Sequence, residues 1–176
     1  RRGIAFGRAG RFLYAANCTS DPALGRTPPG EFEALARLNA SNSPVVLVSN
    51  QSGIGRGYFS MEDDEKVNSR FLELLGTGGA RIDATYICAH SSEDHCNCRK
   101  PCRELFERAI RDHDFDLSRL IFIGDRWRDV EPFLFYPGSA AALVPSEMTL
   151  AEEKERADRL HITYPDLRTA LDSVLS

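Results

Sequence analysis

The sequence predicts an α/β fold in which parallel strands form one sheet and helices cover both of its faces. Short apolar segments alternate along the chain with segments whose apolar residues recur at helical spacing. One apolar segment, residues 45–48 (VVLV), has no polar position, which is typical of a strand buried on both faces of a parallel sheet. Polar or glycine-rich turns follow several of these segments. Ligands bind at such turns in parallel sheets, because the carboxyl ends of the strands meet there.

In the first half of the chain, residues 11–16 (RFLYAA) form a short apolar run that predicts the first strand. Helical spacing follows over residues 32–38, and the apolar run at 45–48 predicts the second strand. Residues 49–59 form a glycine-rich turn and loop. Ser60 is a predicted helix N-cap, since three acidic residues follow it, and the apolar stripe of that helix falls on residues 67–75.

In the second half, residues 84–88 predict a strand and residues 105–110 a helix. The run LIFI at 120–123 predicts the fourth strand because it is apolar throughout and stops at a Gly-Asp turn. A further helix, a fifth strand and two helical stretches with acidic starts are predicted at 129–135, 140–144, 150–160 and 166–175.

The composition predicts one globular domain over residues 1–176 and excludes several classes of partner. The 176 residues suffice for a sizeable core, and 42% of them are hydrophobic. A net charge of −4 argues against binding to nucleic acid or to an anionic membrane surface. No apolar run approaches the roughly 20 residues of a membrane span, and the first residues do not resemble a signal peptide. We expect a cytoplasmic protein, because the cysteines fit a reducing compartment.

Four potential metal ligands lie within eleven positions after the third predicted strand: Cys88, His90, Cys96 and Cys98. Three thiolates and one imidazole form a tetrahedral set that suits zinc, and four protein ligands leave no open position, so this zinc would be structural. The alternatives are unliganded thiols and two disulfides. The crowded thiolates favour a metal, because they would repel one another without it.

Charged and polar residues stand at the other predicted strand ends. Ser49 and Asn50 begin a turn with glycines, which suits a phosphate. The alternative is a polar turn at a strand end that binds no ligand. Asp125 follows the fourth strand and Asp129 lies one helical turn later, a spacing that suits magnesium. The alternative for Asp125 is an ordinary helix N-cap.

These motifs resemble a known family. The segments VSNQSGIGRGYF, CAH…CNCRKP and IGDRWRD are similar to those of the haloacid dehalogenase superfamily. Within it they resemble the zinc-containing branch of histidinol-phosphate phosphatase and D-glycero-D-manno-heptose 1,7-bisphosphate phosphatase, over roughly residues 12–144. The resemblance implies a Rossmannoid fold with a minimal cap and a zinc-binding loop.

The resemblance also implies roles for the matched residues. Ser49 and Asn50 would hold the transferring phosphoryl group, and Lys100 would neutralise it. Arg56 and Arg99 would contact the rest of a small phosphorylated ligand. Such roles agree with the chemistry of phosphoryl transfer, which relies on positioning and on spreading charge over cations.

The family's first motif, F-L-D-x-D-G-T, is absent from the sequence. Placed on residues 12–18 (FLYAANC), it puts Tyr14 at the position of the nucleophile and Ala16 at that of the general acid. A neutral Tyr is a poor nucleophile at phosphorus, and Ala cannot carry a proton. Asp125 supported by Asp129 would then hold magnesium only weakly.

The sequence therefore predicts a phosphatase-like protein that lacks the standard aspartyl-phosphate mechanism and retains binding of a phosphorylated ligand or of a protein partner. The alternative is an active, magnesium-dependent phosphomonoester hydrolase that acts on a sugar phosphate or histidinol phosphate. A zinc–thiolate redox sensor is a third hypothesis. The aromatic run at 133–136 and Trp127 are either partner surfaces or parts of the core.

Overall fold

The computed structural model of the protein describes residues 4–7, 31–40 and 43–176. Five strands lie in one sheet: β1 Ile4–Gly7, β2 Val45–Asn50, β3 Ala84–Cys88, β4 Ile121–Gly124 and β5 Ala140–Leu143. The strand order is β3-β2-β1-β4-β5, and every neighbouring pair is parallel. The predicted fold class is therefore confirmed. All five carboxyl ends point to one edge of the sheet, and β1 lies at its centre.

The helices follow the strands in alternation, as the sequence predicts. They are α1 Glu31–Ala40, α2 Ser52–Gly55, α3 Met61–Thr77, α4 Glu104–His113, α5 Trp127–Val130, α6 Ala151–Arg159 and α7 Leu167–Leu175. Short 3-10 turns cover Ser92–Asp94, Leu117–Arg119 and Glu131–Phe135. Among the helices of the described residues, none has the length and hydrophobicity that a bilayer crossing requires.

Helices pack on both faces of the sheet because alternate residues of a strand point to opposite sides. On one face, Val45 and Leu47 of β2 pack with residues of α1, α3 and α7 in a buried apolar cluster. On the other face, Val46 and Val48 pack with α4 in a second cluster. All four of these β2 side chains are fully buried, which explains why the 45–48 run has no polar position.

The start of the sheet differs from the prediction. The central strand is Ile4–Gly7, whose residues pair with Val45–Val48 of β2 and, through Phe6, with Ile123 of β4. The segment predicted as the first strand, residues 11–16, lies outside the described residues. The prediction favoured that segment because its apolar run is longer than the three apolar residues of β1, which are bounded by glycines. A strand with neighbours on both sides is specified largely by them, so its own sequence signal is weak.

The helix predicted at 129–135 also differs. An α-helical turn begins at Trp127, and the chain continues as a 3-10 turn over Glu131–Phe135. Pro132 lies at the start of that turn and has no N–H to continue the α-helical pattern. The prediction was therefore wrong in placing one helix here, because the apolar spacing spans two short elements.

Candidate functional site

The four predicted metal ligands converge at the carboxyl end of β3. Their ligand atoms all lie within 4.8 Å of one another. The Cys88 Sγ lies 3.0 Å from Cys98 Sγ and 3.6 Å from Cys96 Sγ, and His90 Nδ1 lies 3.2 Å from Cys98 Sγ. Zinc–sulfur bonds of about 2.3 Å at tetrahedral angles separate the sulfurs by roughly 3.8 Å, so the cluster has nearly the dimensions of a zinc site. The cysteines are free rather than paired in disulfides.

The charge state of these thiols also favours a cation. Burial raises the pKa of Cys88, which is the fully buried member of the set. Burial raises the pKa of Cys98 well above its usual value, and the neighbouring Cys88 and Cys96 thiols raise it further. Three thiols this close therefore cannot all ionise unless a metal compensates their charge. The donor set and its geometry fit a closed, structural metal site.

Lys100 follows the metal cluster and enters the interior. Its side chain is only 2% exposed, and its Nζ donates to Val48 O at 2.6 Å and to Asp129 Oδ1 at 2.5 Å. An ammonium group has three N–H donors, so the contacts within the described part of the chain leave one donor for a ligand. The structure thus places the cation beside the carboxyl ends of β2 and β4.

Asp125 and Asp129 have different surroundings. Asp129 is buried, and its Oδ1 and Oδ2 accept hydrogen bonds from Lys100 and from the Arg126 N–H. Gly124 permits this contact, because a Cβ there would lie 2.3 Å from the Asp129 Cβ. Asp125 is 1% exposed. Its Oδ2 accepts from Ser146, and its Oδ1 has no hydrogen-bond partner in the described part of the chain. Arg126, rather than Asp125, is the N-cap of α5.

Burial raises the pKa of Asp125 to about 6, and the nearby Asp129 carboxylate adds to the rise. One free carboxylate oxygen is a sparse ligand set for magnesium, which prefers an octahedron completed by water and phosphate oxygens. Asp125 Oδ1 fits as a single ligand. Asp129 is occupied by its two hydrogen bonds, so the predicted weak magnesium site would depend on Asp125 and on the ligand itself.

The segment before α6 holds the Asp125 turn in place, and the sequence did not indicate it. Ser146 donates to the Asp125 carboxylate, and the Thr149 hydroxyl donates to Asp125 O at 2.6 Å. Glu153 accepts from Arg126 Nε at 2.7 Å and from the Trp127 N–H at 3.2 Å. These residues are separated from the Asp125 turn by more than twenty positions in the chain, and no local pattern marks such a contact.

Three arginines lie near one another at the same edge of the sheet. Arg99 donates to His90 O at 3.2 Å, and Arg126 pairs with Glu153. Arg128 is half-buried and, within the described residues, has no hydrogen bond or ion pair. Burial lowers the pKa of Arg128, the nearby Asp129 carboxylate offsets part of this effect, and the positive charges of Arg126 and Arg99 lower the pKa further. A half-buried guanidinium that makes no ion pair within the described residues and lies beside other guanidiniums is an arrangement that favours an anion.

The turn after β2 supplies the remaining predicted residues. Ser49 is fully buried, and its Oγ accepts from Gln51 Nε2 at 3.1 Å. Arg56 is exposed at the end of α2. The α2 turn packs against the metal loop so closely that a Cβ at Gly55 would lie 2.7 Å from Ala89 O. Arg99 and Lys100 line an open groove of about 370 Å³ on this loop. The Ser49 turn and the metal loop therefore meet at one site.

Trp127 is buried, whereas part of the aromatic run at residues 133–136 is exposed. Trp127 is 7% exposed and packs in a core cluster with residues of β5 and α6, and Arg156 lies over its ring. It therefore belongs to the core. Leu134 and Phe135 are exposed, and Arg103 lies 4.7 Å from the centre of the Phe135 ring.

The end of β1 offers a second placement for the family's first motif. Gly7, the last residue of β1, pairs with Val48, which directly precedes Ser49. A motif F-L-D-x-D-G-T whose first aspartate falls on Gly7 covers residues 5–11 (AFGRAGR), with an alanine at the acid position and its own glycine retained. The placement on Tyr14 and Ala16 lies outside the described residues and stays a prediction. Neither placement has an aspartate at the nucleophile or the acid position.

Comparisons with known proteins agree with this architecture. Residues 97–170 match a family model described as HAD-hydrolase-like. A probable D-glycero-D-manno-heptose-1,7-bisphosphate 7-phosphatase of Thermoplasma volcanium is 38% identical over 98 residues, covering 56% of this chain and 67% of that protein. The D-glycero-β-D-manno-heptose-1,7-bisphosphate 7-phosphatase of Bordetella bronchiseptica is 35% identical over 103 residues, covering 58% of each protein. The chain thus matches somewhat more than half the length of this relative.

Solved structures are similar over nearly the whole chain. The D,D-heptose 1,7-bisphosphate phosphatase of B. bronchiseptica, complexed with magnesium and phosphate, superposes with a TM-score of 0.84 at 25% identity, covering 99% of this chain and 98% of that one. A putative HAD-like phosphatase from Mesorhizobium loti gives a TM-score of 0.75 at 28% identity, covering 98% and 87%.

The fold and the residues at its carboxyl edge define a phosphatase-like α/β domain with a Cys/His cluster that can hold a metal ion. More specifically, the chain belongs to the HAD-like hydrolase family, and its curated relatives are named heptose-bisphosphate phosphatases.

Proposed function

We propose that this protein binds a phosphorylated small molecule at the carboxyl edge of its sheet and does not hydrolyse it by the aspartyl-phosphate mechanism. The observation that carries the proposal is the absence of a carboxylate from the sequence at and after the end of the central strand. Neither residues 5–11 nor residues 12–18 hold an aspartate where the family motif has two, and the first carboxylate in the chain is Asp21.

The missing carboxylates remove two separate chemical steps. A backbone glycine has no side chain to attack phosphorus, so no phospho-enzyme bond forms at that position. An alanine cannot donate a proton to the departing alkoxide, and proton transfer by a positioned side chain contributes a factor of about 10²–10⁴. Because the two groups act in sequence on one reaction, the loss of both leaves little of the standard activity.

Two ordered groups at this edge support binding of an anion. Ser49 and Lys100 are buried beside the end of the central strand, and contacts with the other described residues engage only two of the three Lys100 Nζ donors. A phosphate at this edge gains charge-assisted hydrogen bonds from groups that are already ordered, so little conformational entropy is lost on binding. Zinc on the Cys/His cluster would fix the loop that carries Arg99 and Lys100.

The arginine group favours a ligand with a second anionic group. Arg128 makes no hydrogen bond or ion pair within the described residues, although the Asp129 carboxylate lies near it, and the Arg99 side chain donates only to a backbone carbonyl among them. Two phosphates on one sugar would neutralise Lys100 and these guanidiniums together, whereas a monophosphate leaves part of the charge uncompensated. The names of the relatives, which act on a heptose 1,7-bisphosphate, agree with this class of ligand.

Isothermal titration and a phosphate-release assay on the same preparation test the proposal. We expect D-glycero-β-D-manno-heptose 1,7-bisphosphate to bind more tightly than inorganic phosphate, with no release of phosphate above a buffer blank in the presence of magnesium. Magnesium-dependent release at ordinary enzymatic rates would establish the alternative, an active phosphatase. The absence of binding by either compound would refute ligand binding at this edge.

A further inference from the structure

The side-chain amide of Asn50 is engaged with the backbone of Lys100. Asn50 Oδ1 accepts from the Lys100 N–H at 2.9 Å, and Asn50 Nδ2 donates to Lys100 O at 3.0 Å. Asn50 is the last residue of β2. Its side-chain amide thus makes two hydrogen bonds to the backbone of a residue fifty positions later in the chain.

This pair is the backbone anchor of Lys100. In the part of the chain that the structure describes, both backbone hydrogen bonds of Lys100 go to Asn50. The Lys100 side chain runs inward from this anchor, so that Nζ reaches Val48 O and Asp129. A lysine side chain has many rotamers and loses much conformational entropy when it is fixed. Because the backbone of Lys100 is anchored, its four-carbon side chain can bring the ammonium group to fewer positions.

We propose that Asn50 is a positioning residue whose contribution to anion binding acts through Lys100, and not a direct phosphate contact. The inference rests on the proposed function, in which Lys100 contacts the anion. It differs from the role that the family resemblance implies for Asn50, which is to hold the phosphoryl group itself. If Asn50 acts through Lys100, its removal weakens binding only while Lys100 is present.

A double-mutant cycle measures this dependence with inorganic phosphate as the probe. Asn50→Ala is made in the native chain and in a Lys100→Met, Asp129→Asn background, which removes both charges of the buried pair and leaves neither unpaired. We expect Asn50→Ala to weaken phosphate binding about tenfold in the native chain and less than twofold in the background. Equal losses in the two chains would show direct contact and overturn the proposal.

Amide hydrogen exchange tests the anchor without any ligand. Asn50→Ala should speed exchange of the Lys100 amide at least about tenfold. Asn50→Asp keeps the accepting oxygen and should leave that amide protected, and Gln51→Ala serves as the neighbouring control. Unchanged protection in Asn50→Ala would refute the anchor.

Failure of the native protein to bind inorganic phosphate and heptose 1,7-bisphosphate refutes the proposed function. The exchange of the Lys100 amide still decides, in that case, whether Asn50 anchors Lys100.

Discussion

Lys100 and Asp129 form a buried ion pair whose energetics favour a binding role over a stabilising one. Both side chains are almost fully buried. Removing two charges from water costs several kcal/mol per ion, and a buried pair is often no more stabilising than apolar residues of the same volume. The pair here lies at a strand end, and the described residues engage two of the three ammonium donors. The cost of burying it therefore agrees with the proposed binding of an anion at this position.

The raised pKa of Asp125 predicts that its contribution to the free energy of unfolding falls as the pH rises. Its folded-state pKa is raised to about 6 from an ordinary 3.8. A carboxyl group with a raised folded pKa holds its proton more tightly in the folded state, so its stabilising contribution is complete below about pH 4 and is lost as the pH rises through 6. The difference corresponds to about 3 kcal/mol.

Urea unfolding at intervals from pH 4 to pH 7, without divalent cations, measures this contribution. Asp125→Asn cannot titrate, so the difference in free energy of unfolding between the native chain and this variant should change by about 3 kcal/mol over that range. The sign is fixed, because the native chain loses stability relative to the variant as the pH rises. A constant difference would contradict the raised pKa.

The half-buried charge of Arg128 predicts that the protein binds a bisphosphate more tightly than a single phosphate. Arg128→Met keeps much of the side-chain volume and removes the charge that has no counter-ion among the described residues. We expect it to weaken heptose 1,7-bisphosphate about tenfold and inorganic phosphate less than threefold, because a close guanidinium–phosphate contact contributes about 1–3 kcal/mol. Titration calorimetry compares the two ligands. Arg111→Met, on the exposed side of α4, is the matched control and should change neither affinity.

At the scale of elements, the metal loop predicts a zinc-dependent stability. Cys88→Ser removes the buried ligand at the end of β3, whereas Cys102→Ser removes an exposed thiol outside the ligand set. Metal analysis should find about one zinc per native chain, a value that Cys102→Ser retains and Cys88→Ser loses.

Thermal unfolding should separate Cys88→Ser from Cys102→Ser in the same way as metal analysis. Loss of several kcal/mol of metal binding should lower the Tm of Cys88→Ser by about 10 °C. A chelator should lower the Tm of the native chain similarly and leave that of Cys88→Ser unchanged. Zinc retained by Cys88→Ser, with an unchanged Tm, would contradict a structural metal on these four residues.

The elements that the sequence predicted correctly have strong local signals. Residues 45–48 are apolar throughout, and Ser60 caps α3 by accepting from the Asp63 N–H at 3.1 Å. The four metal ligands are close in sequence, so their convergence follows from a short loop. The central strand was missed because its four residues carry little signal, and its position is fixed by pairing with β2 and β4.

The contacts that the sequence could not predict join distant segments. Ser146 and Glu153 reach the Asp125 turn from the segment before α6 and from α6 itself. The polar turn and the family resemblance predict a phosphate contact at Asn50, and they do not indicate the hydrogen bonds of its amide to the Lys100 backbone. Only the packing of the folded chain brings these groups together.

At the scale of the whole molecule, the charge is distributed unevenly. The chain has a formal net charge of −4, yet the edge of the sheet holds Lys100, Arg99 and Arg128, the last without an ion pair in the described residues. The described carboxylates at this edge include Asp129, Glu153 and Asp125, of which two pair with cations and the third has a raised pKa. A locally positive edge on an acidic protein agrees with the proposed binding of a small anion.

If turnover is absent for lack of two carboxylates, as we propose, adding them at the end of the central strand should confer it. Gly7→Asp with Ala9→Asp adds a nucleophile at the last residue of β1 and a general acid two positions later in the sequence. Gly7 ends at the same edge of the sheet as Lys100 and Asp125, where phosphoryl transfer needs positioning and charge stabilisation. We expect magnesium-dependent release of phosphate from heptose 1,7-bisphosphate by this double variant. Tyr14→Asp with Ala16→Asp introduces the same two carboxylates seven residues later in the chain, and it is the matched control that should remain inactive. Activity in the second variant alone would place the first motif on residues 12–18, against the register of β1. Inactivity of both, with ligand binding intact, would show that the site has lost more of the catalytic arrangement than its two aspartates.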